Sequence, residues 1–336
     1  MFDTLNELIK LDGISGDENV VREYIINKIK GHCEYRVDSL GNIIAFKKGK
    51  NTSQKKLMID AHMDEVGLII TSVTADGFLK FKTVGGIDTS VLMFRQVKIG
   101  GKIKGVIGGK PIHLLKSGET KKLPELNDLY IDIGAGSKQE ALSYIEIGDR
   151  AVISSEITEM GGKIKAKALD DRIGCAVLIE LLTKNSDYDF YATFSVQEEI
   201  GLRGAKTATF AVNPDSALVL EATTAADIAN VPDERRVCIL GNGPAVSFMD
   251  NSAVYDRAYY KAALNSGITC QTKTAVAGGN NSGAIHLSQC GVRTLAISVP
   301  CRYIHSASCI ADKNDCENAL KLAVCMINGI CSGNIE

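Results

Sequence analysis

The sequence predicts an α/β protein built from both ends of the chain, with a mostly-β module inserted near residue 66. Three observations carry this reading. A chain of 336 residues is too long for one ordinary core and divides most naturally into two domains. Apolar, β-branched runs alternate with helix-period segments in residues 1–65 and again after Ala166. Between those stretches, short β-like runs alternate with Gly-Gly turns and no long helix is visible.

Residues 2–9 and 17–29 place apolar side chains at helical spacing, with Asp17 the expected N-cap of the second helix. Residues 41–46 and 56–61 read as strands. Inside the insert, residues 66–73, 78–82, 96–99 and 103–107 read as further strands. Gly85-Gly86, Gly100-Gly101 and Gly108-Gly109 are the turns between them, which suits a small barrel or sandwich. After Ala166 come a helix over 173–182, a buried strand opening at Phe190, and a strand over 217–220. A helix over 251–267, a strand over 294–299 and a long apolar helix over 314–330 complete the order.

Composition narrows the function classes. Apolar content of 45% and charged content of 23% belong to a globular protein, and a net charge of −2 offers no basic field for nucleic acid. No apolar run approaches the ~18–20 residues of a membrane span, and the first residues lack a signal-peptide pattern. A cytoplasmic protein is the expectation. The 10 cysteines contain no Cys-x-x-Cys pair and several lie in apolar stretches, so buried inert thiols are expected rather than disulfides or thiolate metal sites.

The chemistry gathers at strand ends. The Phe190 run delivers Glu198 and Glu199 side by side, a costly place for two negative charges unless a cation or a shared proton compensates them. The strand over 56–61 runs into His62, the strand over 217–220 into Glu221, and the segment after the 294–299 strand into His305. Asp170-Asp171 stand just ahead of the helix over 173–182. In open α/β sheets, ligands bind in the crevice beyond the carboxyl ends of the strands, where all of these can converge. Singly, each has an ordinary explanation: a solvated acidic turn, a core histidine, an N-cap. The remaining histidines, His32, His113 and His286, have no motif around them.

Together, two histidines and several carboxylates make a nitrogen–oxygen set that suits zinc, cobalt or manganese. One aspartate bridging two ions about 3.5–4 Å apart would place a water on two Lewis acids. Two dications, three ligand carboxylates and one hydroxide sum to zero charge. Asp64 could fix the His62 tautomer through its other ring nitrogen.

Four motifs carry a specific resemblance: Ala61-His-Met-Asp-Glu-Val-Gly67, Lys167-Ala-Leu-Asp-Asp-Arg-Ile-Gly-Cys175, Val196-Gln-Glu-Glu-Ile-Gly-Leu-Arg-Gly-Ala205 and Arg302-Tyr-Ile-His-Ser306. In this order, over nearly the whole chain, the sequence resembles the dinuclear-metal aminopeptidases. That family (metallopeptidase family forty-two) contains the tetrahedral, glutamyl and deblocking enzymes, and some members carry a cellulase label. The resemblance implies a three-layer α/β/α catalytic domain of residues 1–65 and 164–336. Residues 66–163 would be an inserted β dimerisation domain, a small PDZ-like barrel. It implies two divalent ions per subunit, zinc or cobalt foremost and manganese as a further option. His62 and Glu221 would bind one ion, Glu199 and His305 the other, and Asp170 both, with Asp64 supporting His62. Glu198 would be the general base, taking a proton from the metal-bridging water and passing it to the leaving amine. The implied substrates are peptides with a free N-terminus, and the implied assemblies are dimers and a tetrahedral dodecamer.

The chain departs from the commonest family pattern at Glu221, where many members carry aspartate, at Gly278-Gly-Asn-Asn-Ser-Gly283, and at Ser306-Ala-Ser-Cys309. Two other readings use the same residues. A glycoside hydrolase would need its carboxyl pair facing across a sugar bond about 5–9.5 Å apart, and would leave His62, His305 and Asp170 without a role. The lack of tryptophan, a favoured sugar-stacking residue, also weighs against it. A non-catalytic assembly protein keeping the fold would be expected to have lost one of the five ligands.

Overall fold

A computed structural model describes residues 1–114 and 123–335. The main sheet has 11 strands. Its principal path runs Glu34–Val37, Ile43–Lys47, Phe190–Ser195, Leu57–His62, Ser216–Thr224, Arg293–Arg302, Cys309–Asp312, Lys163–Ala166 and Thr158–Met160. The central four, from Phe190–Ser195 to Arg293–Arg302, are parallel, and antiparallel strands flank them on both sides. Parallel neighbours need a crossover and cover on both faces, so these strands read as nearly continuous apolar runs.

Helices supply that cover and make three layers. Leu57, Ile59 and Ala61 face a core shared with helices Phe2–Lys10, Asn19–Ile29, Leu169–Thr183 and Lys313–Cys331. Met58 faces the other way, into a smaller cluster beneath helices Arg203–Val212 and Ser282–Ile285. This alternation is the two-residue period of a strand. Burying so much apolar surface on both faces supplies most of the driving force for folding.

Strands Gly67–Val73, Leu79–Val84, Tyr130–Asp132, Ile103–Gly108, Gln96–Ile99 and Arg150–Ile153 close, in that order, into a barrel. It has its own core, including Leu68, Phe81, Val97, Ile107 and Ile131. Closure removes the exposed sheet edges that a sandwich would leave. The hairpin Thr158–Met160/Lys163–Ala166 leaves the barrel and extends the main sheet through Cys309–Asp312.

Several elements differ from the sequence expectation. Asp17 does not cap the second helix: the helix begins at Asn19, Glu18 is its N-cap residue, and no side chain caps it. The buried Glu18 carboxylate is engaged instead by the backbone N–H groups of Gly16 (2.8 Å) and Gln197 (3.1 Å). The helix expected over 251–267 is the shorter Arg257–Leu264. Asp256 caps it by accepting from Ala258 and Tyr259, while Asp250 holds the preceding residues in a turn through Ser252 and Ala253. Helix Lys138–Tyr144 buries only Ala141, so it has no apolar stripe to betray it.

All ten cysteines are free, and six of them are buried. Cys33, Cys270 and Cys325 are half-buried, and Cys290 is exposed. Among the described residues, no helix is long and apolar enough to cross a membrane.

Candidate metal centre

Strand parity brings the first two groups together. Met58, Asp60 and His62 share one face of their strand, as Ala217, Val219 and Glu221 share one face of the next. Val219 pairs with Asp60, so two residues further on Glu221 comes level with His62. Glu221 therefore lies inside strand Ser216–Thr224, not at its end as expected from the run over 217–220. Ser195, paired with His62, closes the strand that turns into Glu198 and Glu199.

His62 is buried, with Nε2 3.3 Å from Asp170 Oδ1 and 3.7 Å from Glu221 Oε2. Its Nδ1 lies 3.1 Å from the Asp64 carbonyl and 3.4 Å from Asp64 Oδ1. A proton on Nδ1 satisfies that acceptor and leaves the Nε2 lone pair facing the carboxylates. The Asp64 carboxylate accepts from Ser15 Oγ (2.6 Å), Glu198 N (2.9 Å) and Glu199 N (3.1 Å), tying the His62 loop to the glutamate turn.

His305 mirrors this arrangement from the opposite side. Its Nδ1 donates to the carbonyl of Gly86 (2.8 Å), in the Gly-Gly turn of the barrel. Its Nε2 lies 3.2 Å from Glu199 Oε1 and 3.4 Å from Asp170 Oδ2. Asp170 thus stands with one oxygen toward each histidine. Its neighbour Asp171 does different work: Oδ1 accepts from Gly174 N (2.8 Å) and caps the helix, and Oδ2 accepts from His62 N (3.2 Å). A side chain at Gly174 would collide with that cap, since a Cβ there would fall 2.3 Å from Asp171 Oδ2.

The backbone bends sharply around this cluster. Ala168, Gln197, Leu202, Tyr303 and His305 all have positive φ, half of the ten non-glycine residues that do among the described residues. Such conformations cost about 1–3 kcal/mol each and persist where surrounding contacts enforce them, often at functional sites.

The electrostatics are those of a site built around positive charge. Six carboxylates (Asp64, Asp170, Asp171, Glu198, Glu199 and Glu221) surround two histidines. Burial pushes Glu198 up, His62 pulls it down, and Glu199 and Asp170 raise it further, to about 8. Burial also raises Glu221 well above the carboxylate range, with His62 opposing. Asp170 goes the other way: burial would raise it, but hydrogen bonds to His305 and His62 hold it well below the usual value. Burial would lower His305, but Asp170 and Glu199 push it up to about 11.

Glu221 Oε1 is buried without a hydrogen-bond donor, and Glu199 Oε1 faces only His305 Nε2 at 3.2 Å, an arrangement that is costly unless a cation occupies the space. His62, Asp170 and Glu199 offer ligand atoms within 4.8 Å of one another, as do His62, Asp171 and Glu221. The donor set therefore fits hard or borderline divalent ions. Beside it opens a cavity of about 240 Å³, whose lining includes Glu198, Glu199, Glu221, His305 and Lys273.

The structure brings His62, Asp64, Asp170, Glu198, Glu199, Glu221 and His305 into one cluster. Ser15, Glu18, Gly86 and Lys273 are additional members that the sequence reading missed. None stands in a distinctive motif: Lys273 follows a strand of only two residues, and the Gly85-Gly86 pair signalled only a turn.

An α/β sheet that gathers histidines and carboxylates at its parallel strand ends, beside a cavity, has the donor set of a candidate metal site. Residues 41–322 match the M42 glutamyl aminopeptidase family, and the chain belongs to that family of peptide-bond hydrolases. It is 40% identical over 332 residues to an Acetivibrio thermocellus protein named as an aminopeptidase, covering 96% of this chain and 97% of that one. A TET aminopeptidase from a marine-sediment thaumarchaeon superposes with a TM-score of 0.95 at 32% identity, over 99% of this chain and 97% of that one. The Pyrococcus horikoshii TET1 peptidase, described as assembling into a tetrahedron or a large octahedral shell, superposes with a TM-score of 0.84 at 34% identity, over 97% and 98% of the two chains.

Proposed function

We propose that this aminopeptidase removes N-terminal residues from short peptides with the help of two divalent metal ions. The observation that carries the proposal is Asp170, with one oxygen toward the Nε2 atom of each histidine and the unpartnered Glu221 Oε1 nearby. His62 and Glu221 would hold one ion, His305 and Glu199 the other, and Asp170 both. Bound there, the ions would polarise the scissile carbonyl and lower the pKa of the attacking water. Glu198, with its raised proton affinity, would accept a proton from that water and hand it to the leaving amine. Asp64 would keep His62 in the required tautomer while holding the N–H groups of Glu198 and Glu199. This division gives work to the histidines and to Asp170, which the glycoside hydrolase reading leaves idle.

A panel of aminoacyl-nitroanilides, assayed after reconstitution with zinc, cobalt or manganese, tests the proposal. Cleavage is expected only with a free N-terminus and only in the metal-loaded protein. Activity that survives a chelator, or that accepts N-blocked substrates equally, would overturn it.

We further propose that residues 66–163 act as a dimerisation module in a homo-oligomer, supported by the closed barrel and the shell-forming relative. Sedimentation at micromolar concentration should show an assembly larger than a monomer; a lone subunit would contradict this.

Glu18 offers a subtler test. Its contact with Gln197 N, beside the two N–H groups held by Asp64, fixes the turn that aims Glu198. Glu18→Gln is expected to lower kcat roughly 10-fold with KM and metal content little changed, the scale of other supporting contacts at metal sites. Equal losses in kcat and metal content would count against it.

The pH dependence of stability follows in sign. Glu198 rises from 4.5 to about 8, and His305 from 6.5 to about 11, in the metal-free fold. Over those windows the folded state keeps protons that the unfolded chain has released, so stability falls as pH rises. Asp170 is lowered below 3.8, and its contribution is lost only in stronger acid. Chelated protein is therefore expected to lose Tm between about pH 5 and about pH 8, and zinc to restore more of it at the higher pH. A thermal-shift series in which zinc stabilises more at the lower pH would contradict the assignment.

A further inference from the structure

One buried charge next to the cluster has no part in the proposed mechanism. Asp60 stands two residues before His62 on the same face of their strand, and it is fully buried. Its carboxylate accepts from Thr193 Oγ1 (2.5 Å), Asn281 Nδ2 (2.7 Å) and Ser195 Oγ (3.1 Å). All three donors are neutral, and among the described residues no lysine or arginine pairs with it. Its neighbours on this face, Met58 and Val219, belong to the apolar cluster beneath helices Arg203–Val212 and Ser282–Ile285. A charge in that setting is costly, and well-packed apolar residues would serve the fold at least as well.

Asn281 carries the other half of the contact. It is the N-cap residue of the helix Ser282–Ile285, where an asparagine oxygen ordinarily accepts from the free N–H groups of the first turn. No such bond forms here, and Asn281 Oδ1 is buried without a donor. The side chain instead turns its NH₂ to the sheet, donating to Asp60 Oδ2 (2.7 Å) and to Ser195 Oγ (2.8 Å). Turning the amide over would set Oδ1 against the carboxylate, so Asp60 decides its orientation.

These bonds tie together three segments that each enter the site. Asp60 leads to His62 along one strand, and Ser195 ends the neighbouring strand and leads to Glu198 and Glu199. Asn281 follows Asn280, which lines the cavity together with Gly278 and Gly279. We propose that the Asp60–Asn281 pair is a positioning device that holds the His62 strand, the Glu198 turn and this wall in register for catalysis. It touches no reacting atom, acts through the groups it aims, and rests on the aminopeptidase reading above. Misplacing reacting groups by about 1 Å costs up to roughly 100-fold in rate.

The test compares single and swapped variants of the metal-loaded enzyme on the aminoacyl-p-nitroanilide that wild type cleaves fastest. Asn281→Leu nearly keeps the volume and removes both NH₂ bonds. Its kcat should fall roughly 10- to 30-fold, with KM within about threefold of wild type and metal content unchanged. Asn281→Asp sets a second carboxylate against the first and should cost at least ~100-fold. Combining it with Asp60→Asn exchanges donor and acceptor across the same contact. The double variant should return to within about fivefold of the wild-type kcat.

Melting temperature and metal analysis on the same preparations separate positioning from stability. The expected Asn281→Leu enzyme is folded at the assay temperature, loaded with metal and slow. A wild-type kcat in that variant, a loss carried by KM alone, or a loss matched by the unfolded or metal-free fraction would overturn the proposal. So would a folded double variant no faster than Asn281→Asp. Should either aspartate-bearing variant fail to fold, the kcat and KM of Asn281→Leu decide alone. If wild type cleaves no nitroanilide with any metal, the aminopeptidase reading itself fails, a result distinct from an active wild type matched by Asn281→Leu.

Discussion

Replacing Glu198 by glutamine is expected to lower kcat by roughly 10²–10⁴-fold, the range that a positioned general base contributes. The substitution keeps volume and shape and removes only the charge and the basic oxygen. The backbone N–H of Glu198 is anchored to Asp64 Oδ1 at 2.9 Å, so the turn should stay in place. Glu198 is also outside the two groups of converging ligand atoms, which contain His62, Asp170, Asp171, Glu199 and Glu221. Metal content per subunit should therefore match wild type, and KM should change little, because the lost interaction is one made in the transition state. Steady-state kinetics with metal analysis on the same preparations separates the alternatives. Turnover within about 10-fold of wild type would remove Glu198 from the proton path, and loss of metal in step with activity would make it a ligand.

The contrast with Glu199 shows how much of the site the sequence made legible. An apolar strand opening at Phe190 and ending in two acids announces an unusual charge, and His62 and Glu221 are announced the same way. What local pattern could not supply was which strands are neighbours. Strand Leu57–His62 lies between Phe190–Ser195 and Ser216–Thr224, pairings that span well over a hundred residues of chain. The hydrophobic period assigns faces but not partners, so convergence could be expected only from the general rule for parallel strand ends.

The residues that sequence reading missed share a physical character. Ser15 and Glu18 lie in a polar connection between the first two helices, and their importance comes wholly from contacts with Asp64 and Gln197. Gly86 contributes a carbonyl, which any residue type would provide. Lys273 is one lysine among many until its burial is known. The mistaken N-cap at Asp17 has the same origin: a carboxylate beside a helix start was assigned to that helix, when its neighbour Glu18 binds a turn elsewhere in the chain. Backbone-mediated and long-range polar contacts leave no periodic trace.

Asp170→Asn is expected to have the other large effect, and it differs from Glu198→Gln in what it destroys. Among the described residues, Asp170 is the one carboxylate within 3.4 Å of both histidine Nε2 atoms. Asparagine offers a single neutral oxygen, and its NH₂ would face an imidazole lone pair or a cation. Both proposed ions lose a ligand at once, so metal occupancy should fall and activity should drop by roughly 10³-fold or more, corresponding to several kcal/mol of lost Lewis-acid stabilisation. A second readout does not depend on activity. Asp170 is the foremost group raising His305 to about 11, so in metal-free Asp170→Asn the His305 titration should move back toward its ordinary 6.5, measurable by NMR. Asp171→Asn is the control. Both Asp171 oxygens are occupied by the N–H groups of His62 and Gly174. Its loss should therefore appear as about 1 kcal/mol of helix-cap stability, with metal content retained. If Asp171→Asn strips the metals and Asp170→Asn does not, the bridging role belongs to the wrong member of the pair.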